Sequence, residues 1–170
     1  MEPPAGDGLD RYRALIELLR GSRASLDMTV PGDAVRRLVL SRSSAVRSVD
    51  LLSPRTLRVG IALGPLARHV EIDLLKEIHY RAGEWVPVGD LSGAIGTVTR
   101  LVRVLRVKRE LMSKLDVRRG EGHSNRLYID LPAFLEGTPF VDVFPEDGEL
   151  TISDVDFAGG EASARVYAAI

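Results

Sequence analysis

The stretch Asp90-Leu-Ser-Gly-Ala-Ile-Gly-Thr-Val-Thr-Arg-Leu-Val-Arg-Val-Leu-Arg-Val-Lys-Arg-Glu-Leu-Met-Ser-Lys-Leu115 decides how the chain reads. Aspartate is a favoured helix cap because its carboxylate accepts from the free N–H groups of the first turn, so Asp90 is a natural helix start. Beyond it, polar residues recur at helical spacing. With residues set about 100° apart, Ile95, Val98, Leu101, Val102, Val104, Leu105, Leu111, Met112 and Leu115 cover an arc of roughly 200°, twice the ~100° stripe of an ordinary surface helix. Arg100, Arg103, Arg106, Glu110 and Lys114 fill most of the remainder. The spacing predicts a long helix buried over more than half its girth. It is wrapped by a sheet, shared with a partner chain or ligand, or sunk in a core.

Outward from that segment, strand and turn signals dominate. Residues 10–20 place Leu15, Ile16, Leu18 and Leu19 on one side of a short helix capped by Asp10 and stopped by Gly21. Residues 25–30 read as a strand ending at Pro31, and Asp33 opens a second helix with Ala34, Val35, Leu38 and Val39 as its apolar positions. Val46, Val49 and Leu51 then lead through Ser53-Pro54-Arg55-Thr56 into Leu57, Val59, Ile61 and Leu63, a hairpin with strict alternation. Gly64-Pro65 breaks it, and 69–74 alternates again, with one buried and one wet face. After a loop over 118–125, strands are predicted at 126–131, 140–144, 150–157 and 162–170, the economical reading being two adjacent hairpins.

Composition bounds the rest. A chain of 170 residues is near the size of one domain and can bury roughly 70% of its unfolded surface without staples. With 45% hydrophobic and 28% charged residues it is an ordinary globular composition. There is no cysteine, which excludes disulfides, thiolate metal sites and cysteine nucleophiles. Residues 1–9 read as a flexible leader, without the basic start and apolar run of a secretion signal, and no apolar run approaches the ~20 residues of a membrane span. A cytoplasmic protein is the expectation. Charge is segregated: residues 100–126 carry nine Lys/Arg against three acids, and 127–170 carry one Arg against nine acids. Either the basic stretch has an anionic partner or the two segments neutralise each other in the fold.

Two stretches share an order of elements. Leu26-Asp-Met-Thr-Val-Pro31 precedes a helix and then a hairpin around a proline-containing turn, ending at Leu57-Arg-Val59. Tyr128-Ile-Asp-Leu-Pro132 precedes Ala133-Phe-Leu135, then Val141-Asp-Val143, a proline-containing turn and Leu150-Thr-Ile152. Residues 25–63 and 126–157 are therefore read as a repeat within a single domain spanning 10–170. The repeat, the hairpins and the over-apolar helix together resemble the tubular lipid-binding superfamily, which includes the bactericidal/permeability-increasing protein. The residues carrying the resemblance are the strand-proline-helix entries at Val30-Pro31 and Leu131-Pro132 and the turn Glu146-Asp-Gly-Glu-Leu150. It implies a long helix cradled by a strongly curved antiparallel sheet, with acyl chains held between them.

Chemistry-bearing motifs are sparse. His69, Glu71, Asp73, Glu77 and His79 project to one side of a regular strand, but a solvated face gives the same alternation, and the spacing typical of zinc sites is missing. His123 beside Ser124 lacks a nucleophile elbow, and Gly89-Asp-Leu-Ser-Gly93 lacks the Lys-Ser/Thr of a phosphate loop. Only 5% of residues are aromatic, which argues against stacking on nucleic acid.

The expected fold class is α+β, a curved antiparallel sheet wrapped around a long helix and built from two related strand-helix-hairpin units. The expected function is noncatalytic binding of a lipid-like or other apolar ligand in a groove between helix and sheet. Val98, Leu101, Val102, Leu105 and Met112 would line the groove, and Arg100, Arg103 and Arg106 would meet an anionic headgroup. The alternative is a protein-protein interaction or homodimeric scaffold protein using the same helix face. No catalytic residue, metal or cofactor is expected.

Overall fold

Alternation of apolar and polar side chains, rather than a long helix, organises the described residues. A computed structural model describes residues 21–63, 66–93, 98–99, 103, 114–119, 125–137 and 148–169. The elements in order are β1 (Arg23–Pro31), α1 (Gly32–Ser41), β2 (Val46–Leu52), β3 (Thr56–Leu63), β4 (Leu66–Leu74), β5 (Glu77–Arg81), β6 (Val86–Gly93), β7 (Leu115–Arg119), β8 (Asn125–Ile129), α2 (Leu131–Phe134), β9 (Glu149–Ala158) and β10 (Glu161–Ala169). They form a four-stranded sheet of order β1-β10-β9-β5 and a six-stranded sheet of order β2-β3-β4-β6-β8-β7. Every neighbouring pair is antiparallel.

The core draws on both sheets. Val59 and Ile61 of β3, Val70 of β4, Val86, Val88 and Leu91 of β6 and Leu127 of β8 cluster with Ile78 and Tyr80 of β5. Leu150 and Ile152 of β9 pack against this cluster as half-buried side chains. One backbone bond ties the sheets, the Phe157 N–H of β9 donating to the Pro54 carbonyl between β2 and β3 at 2.8 Å, while the Leu75 N–H donates to the Val88 carbonyl at 2.9 Å and carries the β4–β6 pairing one residue further, to where the chain leaves for β5. Helix α1 lies against β2, and Arg36 on it donates to the Val49 carbonyl at 3.2 Å.

Turn chemistry fixes the long hairpin. Ala158 faces Glu161 across Gly159-Gly160, whose φ of 61° and 82° are those of a tight two-residue turn that matches strand twist. Further along, Ser163 faces Asp156 and Arg165 faces Ser153, so β9 carries an extra residue there, and Asp154 takes the left-handed conformation at φ 54°. The turn also receives the start of α1: the Gly32 N–H donates to the Gly160 carbonyl at 2.9 Å, and a Cβ on Gly32 would collide with that oxygen.

Several expectations hold and the fold class does not. The strands at 25–30, 46–51, 57–63, 69–74, 126–131, 150–157 and 162–170 and the helix from Asp33 correspond to β1 to β4, β8 to β10 and α1. The helix expected at 10–20 and the strand expected at 140–144 lie outside the described residues. The α+β arrangement of a curved sheet around a long amphipathic helix is overturned: among the described residues ten strands in two sheets stand against an α1 of 10 residues and an α2 of 4. Asp90–Gly93 end strand β6, paired with both β4 and β8, and Leu115 begins β7. Asp90 does not cap a helix; its carboxylate pairs with Arg126 across the strands at 3.0 Å. Between these strands, Val98, Thr99 and Arg103 have helical backbone, and the other residues of 94–113 lie outside the described residues. A groove between a long helix and a sheet, the basis of the expected lipid-like ligand, has no counterpart among the described residues.

Of the repeat, 25–63 runs β1-α1-β2-β3, starting in the four-stranded sheet and passing to the six-stranded one. Residues 126–157 run β8-α2-β9 in the reverse sense, from the six-stranded sheet to the four-stranded one.

Candidate interaction surface

The four-stranded sheet places the first described strand of the chain against the last, and among the described residues this makes β1 an edge. One cross-strand row shows the consequence. Ile78 on β5 pairs with Ile152 on β9, Ile152 with Val166 on β10, and Val166 with Leu26 on β1. Four aliphatic side chains thus share one face, yet Ile78 is 9% exposed and Leu26 is 60% exposed. The six-stranded sheet covers the β5 end of this face, and among the described residues nothing covers Leu26. Met28 and Val30, next along β1 on that face, are half-buried.

The opposite face is polar. The row His79, Thr151, Tyr167, Ser25 crosses the same four strands, and the His79 ring nitrogen Nδ1 lies 3.0 Å from the Thr151 hydroxyl. Arg165 pairs with Asp27 of β1 at 2.7 Å and with Asp154 of the bulge at 3.2 Å. Hydrogen bonding to Asp27, and then to Tyr167, holds its guanidinium above the ordinary arginine range. Arg81 is held up in the same direction by its bond to Glu149. Near the end of the sheet, Arg23, Ser25, Glu149, Thr151 and Tyr167 line a shallow open depression of about 300 Å³. Arg23 has no ion-pair partner among the described residues, and Tyr167 is 44% exposed. These groups can hold an extended polar segment at the surface. They do not enclose a small molecule.

Of the sequence-derived site residues, Val98 and Arg103 fall among the described ones, and neither lies on this sheet. Val98 is half-buried against the common core, and Arg103 is exposed on helical backbone. Leu101, Val102, Leu105, Met112, Arg100 and Arg106 lie outside the described residues. The proposed row of carboxylates and histidines is split between sheets: His69, Glu71 and Asp73 stand on β4, and Glu77 and His79 on β5. Glu71 pairs with Arg58 at 2.7 Å, Asp73 accepts from Thr56 and Glu77 meets His79 at 3.3 Å, so these groups satisfy their neighbours. Among the described residues no group of three or more His, Asp or Glu side chains is placed to hold a metal ion. His123 lies outside the described residues.

Part of the 118–125 loop is strand. Arg118 and Arg119 close β7 and Asn125 opens β8. Arg118 stands over the Tyr128 ring at 4.5 Å and near Trp85 at 5.9 Å, with Asp116 at 2.7 Å. The β1 edge itself escaped sequence reasoning. Its alternation was legible, but its place at the end of a sheet is decided by pairing with residues some 140 positions away. The one signal within the strand was its aliphatic face, on which Leu26 stands opposite Val166 and Met28 and Val30 stand opposite the small Ala164 and Ala162.

Comparison of the chain with protein-family models, with curated proteins and with solved structures finds no match. No helix among the described residues is long and apolar enough to cross a membrane.

Proposed function

We propose that this chain works by noncatalytic binding, taking an extended protein segment alongside β1 as an added strand of the four-stranded sheet. The carrying observation is that the nine-residue β1 is an edge among the described residues, with Leu26 60% exposed at the end of an aliphatic row whose burial falls from Ile78 through the half-buried Ile152 and Val166. An edge strand offers a row of N–H and C=O groups to a further strand, and natural proteins blunt long flat edges that have no partner. Here the strand is longer than the usual 5–6 residues. Covering Leu26 recovers much of the roughly 1.5–3 kcal/mol that full burial of a leucine is worth. The Tyr167 ring and the depression beside it supply a polar margin of the kind that surrounds interaction sites. On this reading the interaction uses a sheet edge, not the apolar helix face expected over 90–115.

The test is a selection of displayed random peptides on the immobilised full chain, repeated on Leu26→Lys. The expected outcome is a set of β-prone, aliphatic-alternating peptides whose binding falls at least tenfold in the variant. Selected peptides that bind both forms equally, or an empty selection on the wild type, would remove β1 as the binding element.

A further inference from the structure

We infer that the strand added to β1 is β1 of a second copy, paired antiparallel about Ser25. This deepens the edge-binding reading and rests on it. The argument comes from the charges of the strand, Arg23-Ala-Ser-Leu-Asp-Met-Thr-Val-Pro31, which has two charged residues of opposite sign four positions apart on the same face.

Two copies of one strand meeting about a two-fold axis can pair only in registers that oppose like faces, because a shift of one residue turns every side chain to the other face. Among those, centring on Asp27 sets Asp27 against its own copy, and like charges directly opposite are unfavourable. Centring on Leu26 leaves both charges facing neutral residues, and centring on Met28 sets Asp27 against Thr29 and leaves Arg23 beyond the end of the other strand. Centring on Ser25 sets Arg23 opposite Asp27 of the second copy and Asp27 opposite Arg23, two ion pairs from one symmetric register. On the other face the same register lays each Leu26 against Ala24 of the second copy, continuing the aliphatic row that runs out at the edge.

The remaining geometry agrees with this register. Arg23 has no ion-pair partner within its own chain among the described residues. Asp27 is already oriented by Arg165 at 2.7 Å while 74% of its side chain stays exposed, so its carboxylate has room to accept from a second guanidinium. The outcome is one continuous eight-stranded sheet across the dimer, β5-β9-β10-β1 followed by β1-β10-β9-β5 of the second copy.

The absence of native cysteine makes the register directly readable. The full chain is weighed by light scattering across a dilution series, as wild type, Arg23→Glu and Arg23→Lys. Ser25→Cys and Asp27→Cys are oxidised separately and run without reductant. The expected result is a concentration-dependent dimer, weakened about tenfold by Arg23→Glu and kept by Arg23→Lys. Ser25→Cys cross-links efficiently because residue 25 faces its own copy, and Asp27→Cys does not. A wild type that stays monomeric at every concentration overturns self-pairing and leaves the peptide selection as the separate judge of the edge-binding reading. A dimer indifferent to Arg23→Glu, or one cross-linked through Asp27→Cys in preference to Ser25→Cys, overturns the register and with it the inference.

Discussion

The two sheets bury their apolar faces to different extents. In the six-stranded sheet, β3, β4, β6 and β8 each contribute side chains that are 8% exposed or less, among them Val70 and Val86 at 1%. In the four-stranded sheet, burial fades strand by strand from β5 to β1. Both sheets keep regular antiparallel pairing, so the difference is not one of backbone order. It lies in how far the second layer reaches. Where it overlaps, side chains are packed by partners from both layers. Where it stops, an apolar face persists in the sequence without a partner from the same chain among the described residues. Persistence of an apolar face beyond its own cover is the physical mark of a surface made for something else.

The largest expected effect breaks the overlapped end. Tyr80 on β5 is 5% exposed within the shared core, and burial, followed by the charge of Asp130, pushes its phenol above the ordinary range. Tyr80→Ala removes an aromatic ring from between the layers and should cost about 3–5 kcal/mol, read as a fall in the urea midpoint at unchanged slope. A cost under about 1 kcal/mol would mean that the two sheets are not held together at β5, and the contrast between the ends would lose its basis.

A smaller effect is expected midway, where β1 is anchored. Gly32 follows β1 directly and abuts the Gly159-Gly160 turn, with its N–H bonded to the Gly160 carbonyl. A Cβ at position 32 meets backbone there, which cannot swing aside as a side chain does, so Gly32→Ala should cost about 1–3 kcal/mol through overpacking. Hydrogen exchange should show faster opening in β1 and β10 than in β6 and β8. Uniform acceleration across both sheets would show that the β1 end is not an independent unit.

How much of this was legible in the sequence follows from the range of the forces involved. β3 was readable because Leu57, Val59 and Ile61 alternate against small or polar residues in an unbroken run. The β9-β10 hairpin was readable because Gly159-Gly160 separates two such runs. β6 was not, because its register shifts between Pro87 and Gly89 and leaves Val86, Val88 and Leu91 without the strict alternation that marks a strand. Asp90 then looked like a cap, since a carboxylate that pairs with Arg126 across a strand and one that caps a helix are the same residue type. β5 was absorbed into β4, since Glu77-Ile-His-Tyr-Arg81 continues the alternation of 69–74 although the chain changes sheets at Leu75-Lys76. For the candidate surface, the strand was legible and its edge position was not. Nothing local to 23–31 states that β10 is its one neighbour among the described residues.

The smallest effect on stability is expected at the free edge, and there the comparison is sharpest. Leu26 is 60% exposed, so in the isolated chain Leu26→Lys removes little burial and should change stability by no more than about 0.5 kcal/mol. Self-association changes that reading in a way concentration reveals. A partner that binds only the folded chain adds stability by mass action, so the wild-type urea midpoint should rise as the protein is concentrated. In Leu26→Lys the midpoint should be flat, because a lysine facing Ala24 of the second copy leaves its ammonium at a seam that was to be dry. The two proteins should therefore coincide when dilute and diverge when concentrated. Midpoints that differ by the 2–5 kcal/mol equivalent of a core leucine at every dilution would show that Leu26 is covered within its own chain, and the uncovered end of the four-stranded sheet would be closed after all.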